Sequence, residues 1–142
     1  MNAGVARNGP LMSNISTHMT ATDAMHAMPP NWALLAARSA DEKFGRDTFV
    51  IDVGDVLALT ELFVITTGAN RRQVKAIVEE IEERIADEGG PKPMRIEGLD
   101  KLEWVLMDYG DFVVHVFDEP TRTFYRLDRL WGDRPKVEWN VA

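Results

Sequence analysis

The stretch that decides the fold is residues 104–117, which read WVLMDYGDFVVHVF. Two apolar runs flank the polar residues Asp108 and Asp111, and Gly110 lies between them. This pattern predicts two β-strands joined by a tight turn at the glycine. The second run, residues 112–117, is apolar on both faces, which is typical of a central strand covered by helices on both sides or by a partner on one.

The segments before this hairpin predict a helix, two strands, a second helix and a short strand. Asn31 can cap the first helix, and the β-branched runs at residues 48–53 and 62–67 predict strands. The second helix begins after Asn70 and has one apolar stripe, formed by Val74, Ile77, Val78, Ile81 and Ile85. The short strand is expected around residues 94–96.

A final helix is predicted to begin at Pro120. Its expected buried stripe consists of Phe124, Leu127, Leu130 and Trp131. The resulting order α-β-β-α-β-β-β-α predicts an α/β (α+β) fold with a mixed sheet of about five strands and flanking helices. Residues 1–30 have no periodicity and are interpreted as a disordered tail or cloning remnant, so the predicted domain spans residues 31–142.

The charge of the chain restricts the classes of partner. The 23 acidic and 16 basic residues give a net charge of −7. Arg7 and Asp23 cancel within the tail, so the whole excess lies in the predicted domain. An acidic domain argues against non-specific nucleic-acid binding and suits a basic protein partner, although acidity also serves solubility alone.

Several kinds of site are not expected from the composition. The chain has no cysteine, which excludes disulfides and cysteine-ligated metals. Neither a membrane span nor a secretion signal is recognisable, so a cytoplasmic location is expected, and no metal or cofactor is expected. His115, the one histidine of the predicted domain, lies within an apolar strand and is interpreted as a core or interface residue rather than a general base.

One enzymatic alternative stays open, a nucleotidyltransferase-like nucleotide-binding enzyme. Residues 68–70 follow a strand and open a helix, as in a triphosphate site, and the carboxylates that could hold metal are Asp52, Asp55, Asp108 and Asp111. Two-metal chemistry needs carboxylates that converge within about 4 Å of both ions. Within each pair the acids are three residues apart, which places them on opposite faces of a regular strand.

The aromatic residues around the hairpin favour a binding surface. Trp104 shares its strand face with Leu106 and Asp108 and has charged neighbours at Lys101 and Glu103. This mixed setting predicts a half-exposed aromatic anchor, the kind of side chain that dominates binding energy in interfaces. Trp131, on the stripe of the last helix, is interpreted as a core residue.

These motifs together resemble the ribosomal silencing factor (RsfS, Iojap-like) family over residues 32–131. The matching segments, in family order, are residues 60–68 (TELFVITTG), 72–74 (RQV), 97–98 (EG), 104–117 and 122–131 (RTFYRLDRLW). The resemblance implies a mixed sheet related to nucleotidyltransferases but without their catalytic acids. It also implies a translation repressor that binds the fourteenth protein of the large ribosomal subunit and blocks joining of the small subunit under nutrient limitation. Family members are also often homodimers in isolation.

The resemblance assigns candidate contact residues. Trp104 matches a position associated with the ribosomal contact, and the other assigned positions, on the binding surface or its support, are Asp108, Tyr109, Asp111, His115, Arg122 and Tyr125. Glu61-Leu62 departs from the family, which has Asp followed by an aromatic residue, and Asn70 stands where Ser or Thr is common. A further alternative is a homodimeric structural module whose hairpin aromatics form the self-interface.

Overall fold

A computed structural model of the chain describes residues 31–54, 60–126, 129 and 132–140. Within this part there are three helices, α1 (Trp32–Glu42), α2 (Arg71–Asp87) and α3 (Glu119–Tyr125). There are six strands in the same part, β1 (Arg46–Asp52), β2 (Leu62–Gly68), β3 (Arg95–Glu97), β4 (Trp104–Asp108), β5 (Phe112–Asp118) and β6 (Lys136–Val137). The predicted tail, and Leu127, Leu130 and Trp131 of the predicted last stripe, lie outside the described residues.

Both long helices begin where the sequence predicts. The Asn31 side-chain oxygen accepts hydrogen bonds from the backbone N–H of Ala33 (3.1 Å) and of Leu34 (3.3 Å). The Asn70 oxygen accepts from the N–H of Gln73 (2.9 Å), so each cap satisfies donors that the helix itself cannot. The apolar stripe predicted for α2 is buried in full. Among the described residues, no helix has both the length and the apolar character that a membrane crossing requires.

The strands form one mixed sheet with the order β3-β4-β5-β2-β1-β6. β2 and β5 are parallel, whereas the other neighbours are antiparallel. The mixed sheet and the interior position of β5 confirm the prediction. The strand number is six rather than about five because the short strand Lys136–Val137 pairs with β1. Two residues are too few to carry an alternating pattern, so this strand has no signature in the sequence.

The two faces of the sheet are covered differently. α1 and α2 pack on one face against a large apolar core that includes Val64, Val114 and Val116. On the other face, which we call the aromatic face, Phe117 and Ile65 are buried and contact Phe63 and Trp104. α3 lies on the aromatic face, next to the end of β5. Hence β5 has apolar side chains on both sides, as its sequence indicates.

α3 differs from the prediction in its buried residues. Phe124 is 76% exposed and is not part of a buried stripe. The helix ends at Tyr125 because Arg126 adopts a left-handed backbone conformation (φ 51°). In this helix of seven residues the buried side chain is that of Arg122. The prediction that Phe124 belongs to a buried stripe is therefore wrong. The apolar spacing of the sequence continues past Tyr125, the residue at which the helix ends.

Candidate partner-binding site

Trp104 begins β4 on the aromatic face and is partly exposed. The loop before it turns at Gly98, whose positive φ of 92° is strained for other residues. A side chain at Gly98 would collide with the Trp104 carbonyl oxygen. The loop is closed by a hydrogen bond from the N–H of Leu102 to the Gly98 carbonyl (3.0 Å). A glycine here therefore sets the position of the tryptophan backbone.

The Trp104 ring lies within an aromatic cluster. Its centroid is 4.9 Å from that of Phe117 and 5.1 Å from that of Tyr125. Tyr125 in turn meets Phe124 edge-on at 5.0 Å. Phe117 is fully buried, whereas Tyr125 is 51% exposed and Phe124 is 76% exposed. The cluster therefore presents a continuous aromatic surface from the sheet to solvent.

This surface forms the wall of a groove of about 610 Å³, which we call the Trp104 groove. Its charged lining residues are Asp100, Glu103 and Asp118 against Lys101. Glu103 lies 3.5 Å from the Arg71 guanidinium, and both side chains are substantially exposed. Aromatic side chains beside an acidic rim fit a basic protein surface.

The sequence does not predict four of the groove residues. Phe124 is not expected as a contact residue, and the acids that line the groove, Asp100, Glu103 and Asp118, are not expected there. Phe124 was expected in the core. The three acids belong to the β3–β4 loop and to the end of β5, which are adjacent only in the folded sheet. The one sequence signal for these acids is the polar stretch just before Trp104. It identifies Glu103 as a charged neighbour of the tryptophan but does not predict that Glu103 lines a groove.

His115 supports the tryptophan from below. It is buried on the aromatic face, and its Nδ1 accepts a hydrogen bond from the Trp104 indole N–H (3.1 Å). The proton of the neutral ring is therefore on Nε2, which is buried and has no hydrogen-bond partner within the described residues. Phe63 packs edge-on against the ring at 4.6 Å. Burial lowers the pKa of His115 to about 4, so the ring is neutral near pH 7.

Arg122 attaches α3 to the sheet. Its Nη1 donates to the carbonyl oxygen of Asp47 (2.9 Å) and to the hydroxyl of Thr67 (2.6 Å). The guanidinium also lies 5.7 Å from the centroid of the Phe49 ring. Because Tyr125 is on the same short helix, these bonds hold its ring against Trp104. Arg122 therefore has a supporting position rather than an exposed one.

Asp108 and Asp111 lie at the opposite end of the hairpin from Trp104. Four residues of β4 span about 13 Å. Asp108 accepts from the Gly110 N–H (2.8 Å) and lies 3.6 Å from the Arg95 guanidinium, so it shapes the turn. Asp111 is exposed. The structure does not bring these two acids to the Trp104 groove.

Tyr109 is on the other side of the sheet, in the core beneath the helices. Its ring stacks on Phe112 at 4.7 Å. Burial raises the pKa of Tyr109 far above its ordinary value, and the negative charge of Glu82 adds to this effect. The buried hydroxyl has no hydrogen-bond partner among the described residues. Tyr109 is therefore separated from Trp104 by the sheet itself.

Replacing Tyr109 with phenylalanine should leave the free energy of unfolding unchanged or raise it by up to about 1 kcal/mol. The change keeps the stacked ring and removes a hydroxyl that is desolvated without compensation. Urea unfolding of the parent and of Tyr109→Phe measures the difference. A loss above about 1 kcal/mol would instead reveal a hydrogen bond that the hydroxyl makes in solution.

The acids of the enzymatic alternative do not converge in the described residues. Asp52 lies two residues after Val50, which packs beneath the helices. Since side chains two apart on a strand share a face, Asp52 is on the helix-covered side of β1. Asp108 shares the aromatic face with Trp104, and Asp55 lies outside the described residues. No group of three or more histidine, aspartate or glutamate side chains that could hold a metal ion occurs within the described ranges.

Comparisons with known proteins give a consistent result. The family model described as RsfS, ribosomal silencing factor during starvation, matches residues 26–141. The ribosomal silencing factor RsfS of Bacillus subtilis is 41% identical over 104 residues, which cover 73% of this chain and 87% of that protein. The mouse protein named mitochondrial assembly of ribosomal large subunit protein 1 is 33% identical over 89 residues, which cover 61% of this chain and 39% of that one.

A solved structure agrees with these sequence matches. The crystal structure of a Chromobacterium violaceum protein superimposes with a TM-score of 0.67 at 31% identity, covering 78% of this chain and 91% of that chain. The family match and the fold therefore confirm the resemblance carried by the hairpin and its neighbours. This chain belongs to the ribosomal silencing factor family.

Proposed function

We propose that this protein represses translation by binding the large ribosomal subunit and blocking the joining of the small subunit. The contact is with a basic ribosomal protein, the fourteenth of the large subunit on its joining face, as the family resemblance implies. The names of the Bacillus subtilis and mouse relatives, which refer to ribosomal silencing and to large-subunit assembly, support a ribosomal partner. The mechanism is steric occlusion when nutrients are limiting, and it needs no catalysis.

The observation that carries this proposal is the Trp104 groove. Phe124 and Tyr125 expose large aromatic rings beside Trp104, which would be desolvated by a partner. Buried aromatic anchors surrounded by polar residues supply most of the binding energy in protein interfaces. The acids Asp100 and Glu103 on the rim would speed encounter with a basic surface and fix its orientation.

The proposed roles follow from the position of each residue. Trp104 and Tyr125 contact the partner, whereas His115 and Arg122 hold those two rings in place. Asp111 is exposed at the far end of the hairpin and belongs to the contact surface only if the partner covers the whole of β4. Asp108 supports the turn. Tyr109 is left out of the contact set because it lies in the core on the opposite side of the sheet.

Charge reversal on the rim tests the electrostatic part of the proposal. The double variant Asp100→Lys, Glu103→Lys should bind purified large subunits about fivefold more weakly at low salt, because opposite charges become like charges. The matched control is Glu79→Lys, Glu83→Lys, which changes the net charge equally but on exposed positions of α2. Co-sedimentation at two salt concentrations measures the affinity of each variant.

The defect of the rim variant should shrink as salt screens the charges, and the α2 control should bind nearly as the parent does. An equal loss in both variants would show that only net charge matters. Parent protein that sediments with large subunits but leaves subunit joining unchanged would contradict occlusion. Light scattering before and after addition of large subunits tests whether the homodimer expected for the family uses the same groove.

A further inference from the structure

A second cavity lies beside the face of α3 that does not carry Phe124 and Tyr125. Its volume is about 350 Å³, within the range of small-ligand sites. The lining contains four arginines, two acids and two threonines: Arg46, Arg122, Arg126, Arg129, Asp47, Glu119, Thr67 and Thr123. We call it the arginine cavity. Of these lining residues, the ribosome-binding proposal uses Arg122 alone, and only as the attachment of α3 to the sheet.

The cavity is placed where ligands bind in open α/β sheets. Thr67 is at the carboxyl end of β2, and Glu119 directly follows β5. These are the two parallel strands of the sheet, and their carboxyl ends meet at one edge. The crevice outside the carboxyl ends of parallel strands is a recurrent ligand site in such sheets. The position of the cavity is therefore an argument for binding that is independent of its charge.

The charge of the cavity is opposite to that of the whole protein. Four guanidinium groups face two carboxylates, a local charge of +2 on a chain whose net charge is −7. Arg46 forms an ion pair with Glu119 at its rim. Arg126 and Arg129 are exposed, and neither has an ion-pair partner within the described residues. Clustered like charges repel one another, so an anion between them stabilises the arrangement.

The donor set fits phosphate. Guanidinium groups bind phosphate oxygens through two parallel hydrogen bonds, and several such groups around one cavity match a polyphosphate chain. The Arg122 bonds to Asp47 and Thr67 make its side of the cavity rigid. The Thr123 hydroxyl adds a neutral donor at the rim. A phosphate group carries about −1.5 to −2 charges at pH 7, which matches the local charge of +2 better than a single carboxylate does.

We propose that the arginine cavity is a binding site for phosphate groups, with Arg126 and Arg129 as the exposed donors and Arg46 as a third. The phosphate comes either from a nucleotide or from the backbone of an RNA strand, since both present the same chemistry. The inference does not rest on the proposed ribosomal role, because the two sites share α3 but no lining residue. Binding of phosphate and binding of large subunits can therefore fail separately.

Calorimetry on the full chain at low salt tests the site with three probes: pyrophosphate, a nucleoside triphosphate without metal, and a ten-nucleotide single-stranded RNA. The double variant Arg126→Glu, Arg129→Glu should weaken binding of the responding probe at least about tenfold. The double variant Lys75→Glu, Lys92→Glu changes the net charge equally at exposed positions outside the cavity, and it should have little effect. Glu119→Gln should strengthen binding a few-fold, because it releases Arg46 from its carboxylate partner.

The pattern of responses identifies the source of the phosphate. Binding of pyrophosphate or the triphosphate with this arginine dependence assigns a nucleotide-type ligand, whereas a response to RNA alone assigns the phosphate backbone. The inference is overturned if the parent binds none of the three probes. It is also overturned if the double variant Lys75→Glu, Lys92→Glu weakens binding as much as the arginine double variant does. Because both arginines are exposed, the double variant should unfold at the same urea concentration as the parent.

Discussion

Replacing Trp104 with alanine is expected to weaken binding to large ribosomal subunits by about 3 kcal/mol, roughly a hundredfold. The substitution removes the largest ring of the Trp104 groove. It also removes the support on which Tyr125 rests, since the two ring centroids are 5.1 Å apart. Titration of a labelled protein with large subunits, followed by a subunit-joining assay, measures both affinity and repression.

The fold itself will also lose stability in this variant. Trp104 packs on the buried Phe117 and donates a hydrogen bond to His115, so its removal affects more than the surface. Trp32→Ala is the matched control, because Trp32 is a partly buried tryptophan at the start of α1 that packs against the core on the other face of the sheet. It should cost stability without a comparable loss of binding. If Trp104→Ala binds large subunits as tightly as the parent does, Trp104 is not the anchor of the contact.

Lowering the pH from 7 to 4 is expected to cost about 3 kcal/mol of folding stability through His115 alone. Burial lowers the pKa of this ring to about 4 in the folded protein, against an ordinary value of 6.5. Between these values the unfolded chain binds a proton that the folded chain excludes. The stability contribution is therefore fully present above pH 6.5 and is lost as the pH falls towards 4.

The variant His115→Asn isolates this effect. Asparagine lacks the titration, and its side-chain oxygen can take the place of Nδ1 as acceptor for the Trp104 N–H. Carboxylates titrate in both proteins, so their contributions cancel in the comparison. Urea unfolding at pH 7, 5.5 and 4 should show the parent losing about 3 kcal/mol more than the variant over this range. Parallel pH profiles would mean that His115 is solvated in solution.

Much of the fold could be predicted because its signals are local. A cap such as Asn31 or Asn70 acts on backbone groups two or three residues away, and the stripe of α2 depends only on helical spacing. The hairpin around Gly110 is equally local. β6 could not be predicted, because a strand of two residues exists through its pairing with β1 and not through its own pattern.

The candidate site was predicted less completely. Trp104 is expected to be half-exposed, and it lies partly exposed in the groove. The acids that surround it, however, are not Asp108 and Asp111 of the hairpin turn. Asp108 is four residues from Trp104 in sequence but about 13 Å away along the strand, and Asp111 lies beyond Asp108 in the turn. Asp118 is fourteen residues away in sequence and lines the same groove. Strand pairing, and not sequence distance, determines which acids surround the tryptophan.

The sequence by itself determined the order of the elements as far as α3, the buried stripe of α2 and the family, because these depend on local periodicity, capping and contiguous motifs. The tertiary structure alone decided that Tyr109 lies in the core, that Phe124 faces solvent and that four arginines share one cavity. α3 is the physical reason for the last two. It stops at the left-handed Arg126 and is held to β1 and β2 by Arg122. These long-range bonds connect residues 55 or more apart, and no local pattern in the chain encodes them.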